Sequence, residues 1–137
     1  MSVPADQKML SGKTVVVTGA GRGIGRAIAL AAARAGATVV LASRTQEQLD
    51  AVVREVASLG GGALAVTADV RSRADVERLV SRAVEETGRI DAVVNNAGVF
   101  IWKPLEKLSE EEWDRVLETN LKATYLLVHA ALPELKK

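Results

Sequence analysis

Short runs of β-branched residues alternate along the chain with longer segments whose apolar positions recur at helical spacing. Lys13-Thr14-Val15-Val16-Val17-Thr18 has no polar alternation and is bounded by Gly12 and Gly19, the pattern of a strand buried on both faces. Ile24 to Ala35 is alanine-rich and helix-prone, and Gly36 is placed to end that helix. Thr38-Val39-Val40-Leu41-Ala42 reads as a second buried strand. Thr45 is placed to cap a helix running to about Leu59, with Leu49, Val52, Val53 and Val56 on one face and Gly60-Gly61-Gly62 to stop it. Ala63-Leu64-Ala65-Val66-Thr67 predicts a third, weaker strand. Ser72 to Thr87 repeats Val76, Leu79, Val80, Ala83 and Val84 at helical spacing and meets Gly88. Ile90-Asp91-Ala92-Val93-Val94 is a fourth strand. Ser109 with Glu112 forms a capping-box sequence opening a long helix to about Leu135.

The connections in this βαβαβαβα order are too short for anything but parallel crossovers, so the pattern predicts an open α/β sheet with helices on both faces. Right-handed crossovers in a dinucleotide-binding topology order its strands 3-2-1-4. No internal repeat, low-complexity tract or interdomain linker interrupts residues 12–137, read as one domain behind a loose arm of residues 1–11.

Composition narrows the chemistry. The 137 residues suffice for one domain with a core, and 48% hydrophobic with 26% charged residues is ordinary for a soluble globular protein. A net charge of +1 gives no electrostatic footprint for nucleic acid or an anionic membrane. The absence of cysteine removes disulfides, thiolate metal sites and cysteine nucleophiles. With His129 as the single histidine no metal site is expected, and His129 reads as a packed or surface residue. No apolar run reaches the roughly 18 residues of a membrane span. The opening MSVPADQKML lacks the basic head and apolar stretch of a secretion signal, so a cytoplasmic protein is expected.

Thr18-Gly19-Ala20-Gly21-Arg22-Gly23-Ile24-Gly25 falls where the first strand meets the first helix. Glycines there permit a tight turn, let backbone N–H groups approach a pyrophosphate, and allow close helix–strand packing. The helix N-terminus adds unpaired donors and partial positive charge. A glycine cluster alone is also what a flexible turn looks like; strand before and helix after are the surroundings a phosphate-binding turn requires. The spacing is T-G-x-x-x-G-I-G, with Ile24 where the G-x-G-x-x-G fingerprint would need glycine.

That turn resembles the cofactor turn of the short-chain dehydrogenase/reductase family, and three further matches follow in order from about Leu10 onward. Asp69-Val70 follows the third strand, where the family places an acidic residue near the adenine ring. Asn95-Asn96-Ala97-Gly98 closes the fourth strand like the family's N-N-A-G motif. Asn120 matches the asparagine the family counts as catalytic within its long helix. The resemblance implies a Rossmann-type doubly wound parallel sheet. It also implies a dinucleotide held by Thr18, Gly19, Gly21, Arg22, Gly23, Ile24, Gly25, Ser43, Arg44, Asp69, Val70, Asn95, Ala97 and Gly98. The residues read by themselves leave plainer roles open. Asn95 and Asn96 can cap the end of a strand that otherwise disfavours asparagine. Asp69 can begin the next turn. Asn120, a poor helix former, can bond backbone at a kink, a role the resemblance joins to a water-linked proton relay.

The cofactor's identity turns on the end of the second strand. An acidic residue there bonds the ribose 2′-hydroxyl of NAD, whereas arginine accommodates the 2′-phosphate of NADP. This chain has Ser43-Arg44, with Arg22 as a second basic residue just before Gly23. NADP(H) is therefore expected, with NAD(H) as second choice. Trp113 shares a helical face with Val116, Leu117 and Asn120 and reads as core or subunit packing. Tyr125 is followed four positions later by His129, so it does not match the family's Tyr-x-x-x-Lys. Neither that pair nor the serine after a fifth strand matches any stretch of the chain, which reads as the N-terminal, cofactor-binding part of the family fold. Two functions remain. One is an oxidoreductase interconverting alcohols and carbonyls once the remaining residues are supplied, in a homo-oligomer. The other is a non-catalytic NADP(H)-binding module with a sensing or assembly role.

Overall fold

The computed structural model describes residues 8–137. The apolar runs form strands β1 (Thr14–Thr18), β2 (Thr38–Ser43), β3 (Ala63–Thr67) and β4 (Ala92–Val94). They make one four-stranded sheet in the order β3-β2-β1-β4, and every pairing is parallel. The helices are α1 (Gly23–Arg34), α2 (Gln46–Ser58), α3 (Arg73–Thr87), α4 (Glu110–Leu117) and α5 (Ala123–Leu135). Successive side chains of a strand point to opposite faces, and the core divides accordingly. Val15, Val17, Val39 and Leu41 pack with Leu30 of α1 and Leu49, Val52 and Val56 of α2. Val16, Val40 and Ala42 pack with Val76, Leu79 and Ala83 of α3 and Leu126, Leu127 and Ala131 of α5. Two buried faces explain why the strands show no polar alternation.

β1 has β2 on one side and β4 on the other. The chain leaves β1 over one face through α1 and enters β4 over the opposite face through α3. Loops diverging from such a reversal open a crevice at the carboxyl ends of the strands.

Four details depart from the sequence reading. The loose arm expected for residues 1–11 falls partly outside the described residues, and its last four residues are tied down. The Leu10 N–H donates to the Ala35 carbonyl at 2.8 Å, and the Leu10 side chain packs against the core. Thr45 occupies the N-cap position of α2, but its side chain makes no capping bond. β4 is shorter than Ile90 to Val94: the Asp91 N–H donates to the Thr14 carbonyl at 2.9 Å, but the Thr14 N–H turns to the Asp91 carboxylate at 2.8 Å. The long helix expected after Ser109 is two helices joined by a π turn over Glu118–Lys122. The capping box itself is present, with Ser109 and Glu112 each bonding the other's backbone N–H.

Candidate functional site

The crevice at the ends of β1, β2 and β3 is a cavity of about 460 Å³. Its position is fixed by a side-chain clasp beneath the glycine turn. Thr18, at the end of β1 and 3% exposed, donates through Oγ1 to the Val94 carbonyl. The same oxygen accepts the N–H groups of Asn96 and Ala97, both at 3.1 Å. Asn96 returns the contact: its Nδ2 donates to the carbonyls of Thr18 and Gly19 at 3.2 and 3.3 Å. The turn after β1 and the turn after β4 are thereby sewn into one wall.

The glycines fit the space this leaves. Gly19 is left-handed, with φ +63°. A Cβ on Gly25 would stand 2.0 Å from the Gly19 carbonyl oxygen and 2.5 Å from Asn96 Nδ2. That contact is the close helix–strand approach which only glycine permits. A Cβ on Gly21 would meet the Gln48 side chain at 2.9 Å and Ser43 Oγ at 3.2 Å. A Cβ on Gly23 would meet nothing within 4 Å, so this glycine serves its left-handed φ of +55°.

Helix α1 opens onto the cavity at Arg22 and Gly23. Arg22 is its N-cap residue, with an extended backbone and no side-chain capping bond, and the first turn holds no acidic residue. By contrast, α3 and α4 are capped by Ser72 and Ser109. The first N–H groups of α1 thus lack both a cap and a compensating charge. The Ile24 side chain beside them is 74% exposed.

The opposite wall comes from the end of β2 and the start of α2, with Ser43, Arg44, Thr45 and Gln48. Neither Arg22 nor Arg44 has a carboxylate within 4.0 Å among the described residues. The floor is Ala68, Asp69, Val70 and Arg71. Asp69 accepts from Arg71 three times, and the Arg71 guanidinium holds the Asp69 carboxyl below the usual aspartate range. The last side is Asn96, Ala97, Gly98 and Val99, with Arg115 and Thr119 above.

Of the residues singled out in the sequence, the structure brings Gly19, Gly21, Arg22, Gly23, Ile24, Ser43, Arg44, Asp69, Val70, Ala97 and Gly98 to this cavity. Thr18 and Gly25 lie behind the wall as its supports. Asn95 is exposed and outside the lining; its neighbour Asn96, for which the sequence leaves capping open as it does for Asn95, is the one that turns inward and lines the cavity. Asn120 stands in the π turn and clamps the loop after β4. Its Nδ2 donates to the Val99 carbonyl and its Oδ1 accepts the Val99 N–H, both at 2.8 Å. Sequence reasoning missed Thr45, Gln48, Ala68, Arg71, Val99, Arg115 and Thr119. Proximity to Arg44 and Asp69 could have found Thr45 and Arg71, whereas nothing in the local pattern marks Arg115 or Thr119.

The same fold recurs in known proteins. The family model for short chain dehydrogenase matches residues 13–137. The hydroxynaphthalene reductase-like protein Arp2 of Metarhizium anisopliae is 39% identical over 130 residues, covering 94% of this chain and 49% of that protein. A metagenomic short-chain oxidoreductase solved in complex with NADP is 43% identical with a TM-score of 0.87, covering 91% of this chain and 57% of that one. The alcohol dehydrogenase of the archaeon Thermococcus sibiricus, solved with 5-hydroxy-NADP, is 38% identical with a TM-score of 0.88, covering 90% of this chain and 53% of that one. The chain spans about half the length of the curated relatives it matches. Fold, strand order and the glycine turn thus agree with a family match over nearly every residue, and the chain belongs to the short-chain dehydrogenases.

Proposed function

We propose that the cleft holds NADP(H), and that these residues are the cofactor-binding part of an oxidoreductase that interconverts alcohols and carbonyls. The observation that carries this reading is the pairing of an uncapped, acid-free α1 N-terminus with two arginines in one cleft, neither with a carboxylate partner among the described residues. A site with that donor set suits a pyrophosphate together with a further phosphate. Support also comes from the two similar structures solved with NADP and 5-hydroxy-NADP.

In this reading the backbone of Gly21, Gly23 and Ile24 receives the pyrophosphate, and the Ile24 side chain shields it from water. Arg22 and Arg44 take the 2′-phosphate, and Ser43 stands beside it. Asp69 and Val70 meet the adenine. Ala97 and Gly98 keep the wall after β4 thin enough for close approach, and Asn96 holds that wall to the glycine turn. Asn120 fixes the loop at Val99. NADPH, when bound, supplies a hydride to a carbonyl carbon. The proton that accompanies it needs a general acid. Tyr125, the single tyrosine, has no lysine four positions on, so turnover by these 137 residues alone is not expected.

Fluorescence titration of the purified chain with NADPH and NADH tests the reading. NADPH should bind at least about tenfold more tightly, the ratio that one charge-assisted hydrogen bond supports. Arg44→Asp should erase the preference. Equal affinities in the parent would overturn the NADP assignment. Carbonyl reduction above the NADPH background would show that the 137 residues carry a general acid of their own. Tight binding without turnover, even joined to the remainder of a dehydrogenase, would favour the sensing or assembly role instead.

A further inference from the structure

The floor of the cleft contains an arrangement that the motifs do not explain. Asp69 does not present an open carboxylate to the cavity. Its Oδ1 accepts from the Arg71 backbone N–H at 3.0 Å and from Arg71 Nε at 3.2 Å, and its Oδ2 accepts from Arg71 Nη2 at 3.0 Å. An ionised carboxylate offers about four acceptor positions. Three are therefore used, two on Oδ1 and one on Oδ2, and a single acceptor position is left on Oδ2. The two side chains are about equally accessible, 32% for Asp69 and 33% for Arg71, so both lie at the cleft surface and neither is sealed beneath it.

The backbone under this pair is fixed as well. The Asp69 N–H donates to Asp75 Oδ2 at 2.9 Å, and the Asp75 N–H in turn donates to Ser72 Oγ, the N-cap of α3. Asp69 is thereby anchored to the first turn of α3, while the planar fork of Arg71 fixes the rotation of its carboxylate. A lysine could supply the charge but not the fork.

We infer that Arg71 is a positioning residue for base recognition: by occupying three of the four acceptor sites of Asp69, it leaves one, on Oδ2, to select a purine bearing a 6-amino group over one bearing a 6-oxo group. The inference rests on the assignment of the cleft to a dinucleotide. The chemistry is that of a mismatch. A carboxylate held ionised can only accept, so for a base held in one pose its free position bonds the exocyclic amine of adenine but faces the carbonyl oxygen of hypoxanthine, whose N1–H reaches it only if the base shifts. Without the fork the carboxylate can rotate, take water on both oxygens and meet either base through solvent, which weakens discrimination.

The test is equilibrium titration with NADPH and with its deaminated analogue, in which hypoxanthine replaces adenine. The parent should favour NADPH by about tenfold or more, as expected for one charge-assisted bond gained and one repulsive contact avoided. Arg71→Ala should reduce that ratio several-fold, and Arg71→Lys should reduce it nearly as far. In an Asp69→Asn background, Arg71→Ala should no longer move the ratio. Thermal midpoints identify variants that remain folded, and Arg71→Lys serves if Arg71→Ala does not. Asp69 also lies within the electrostatic reach of Arg44, so the preference for NADPH over NADH is read in the Asp69→Asn background, where Arg71→Ala frees no carboxylate and should leave it within about twofold. A base ratio unchanged by either variant, with binding intact, overturns the inference and leaves the cofactor assignment standing. A collapse of the NADPH-to-NADH preference on Arg71→Ala in that Asp69→Asn background overturns it by making Arg71 a phosphate ligand. Failure of the parent to bind either dinucleotide overturns the cofactor assignment and this inference together.

Discussion

Gly25 lines no part of the cleft, yet the cleft depends on it. A methyl group there would stand 2.0 Å from a backbone oxygen of the glycine turn, a contact that only movement of α1 away from β1 could relieve. Overpacking of this kind costs about 1–3 kcal/mol, and the displaced turn should also lose its dinucleotide. Gly25→Ala is therefore expected to lower the denaturant midpoint and weaken NADPH binding together, while Gly23→Ala, with open space around its Cβ, should suffer only the strain of a left-handed φ. Asp91 is a second residue whose weight exceeds its prominence. The Arg89 guanidinium, the Thr14 N–H and the Lys13 ammonium draw its carboxyl down from 3.8 to about 2. A lowered folded-state value stabilises the protein above the unfolded value and ceases to do so as pH falls through the folded one. The contribution, of order 1 kcal/mol for a partly exposed group, should be complete above pH about 5 and vanish between pH about 4 and 2. Unfolding free energies of the parent and Asp91→Asn should accordingly differ at neutral pH and converge at the acid end. The glycines were legible as residues because turn geometry restricts those positions to one residue type. Which of Asn95 and Asn96 turns inward was not, since both are asparagine and the choice depends on the carbonyls of a turn some 77 positions away in sequence.

Strands and helices were legible wherever burial imposed a period, and less so where a tertiary contact interrupted one. Both faces of β1 and β2 are buried, so their apolar runs announced them. The stretch after Ser109 keeps its helical periodicity through Glu118–Lys122, and hydropathy alone could not distinguish an α turn from the π turn found there. The asparagine in mid-helix was the trace of it. A π turn adds a residue to the winding and often marks a functional position; here it carries the side chain that grips Val99. Asn120→Ala should leave α4 and α5 formed but release the Val99 N–H and carbonyl, at a cost of about 1–2 kcal/mol for two hydrogen bonds. Hydrogen exchange should show faster exchange across residues 95–99 with little change in β1 or α2. Uniform acceleration over the whole sheet would mean that the π turn supports the fold at large rather than the loop after β4.

At the scale of the molecule, apolar surface is distributed unevenly. Most large exposed hydrophobic residues follow β4, while α1 and α2 leave only Ile24 and Leu59 exposed at their ends. Phe100 and Trp102 are 81% and 87% exposed with their rings 6.0 Å apart. Trp113, read from its helical face as a packing residue, is also exposed, as are Leu117, Leu121 and Tyr125. β4 pairs with β1 along one edge and, among the described residues, with no strand along the other. An unpaired edge offers N–H and carbonyl groups to any other extended chain, and contiguous apolar surface favours whatever association removes it from water. The net charge of +1 supplies little repulsion to oppose that. The 137-residue chain by itself is therefore expected to be dimeric or larger, or poorly soluble, at micromolar concentration. Sedimentation equilibrium should give an average mass that rises with loading, and paired charges at exposed positions, such as Leu121→Lys with Trp102→Glu, should lower it without unfolding the sheet. A monomer that persists at about 100 μM, in the range where exposed edges and apolar faces drive association, would mean that the edge of β4 and the face of α4 and α5 do not attract each other strongly enough to meet.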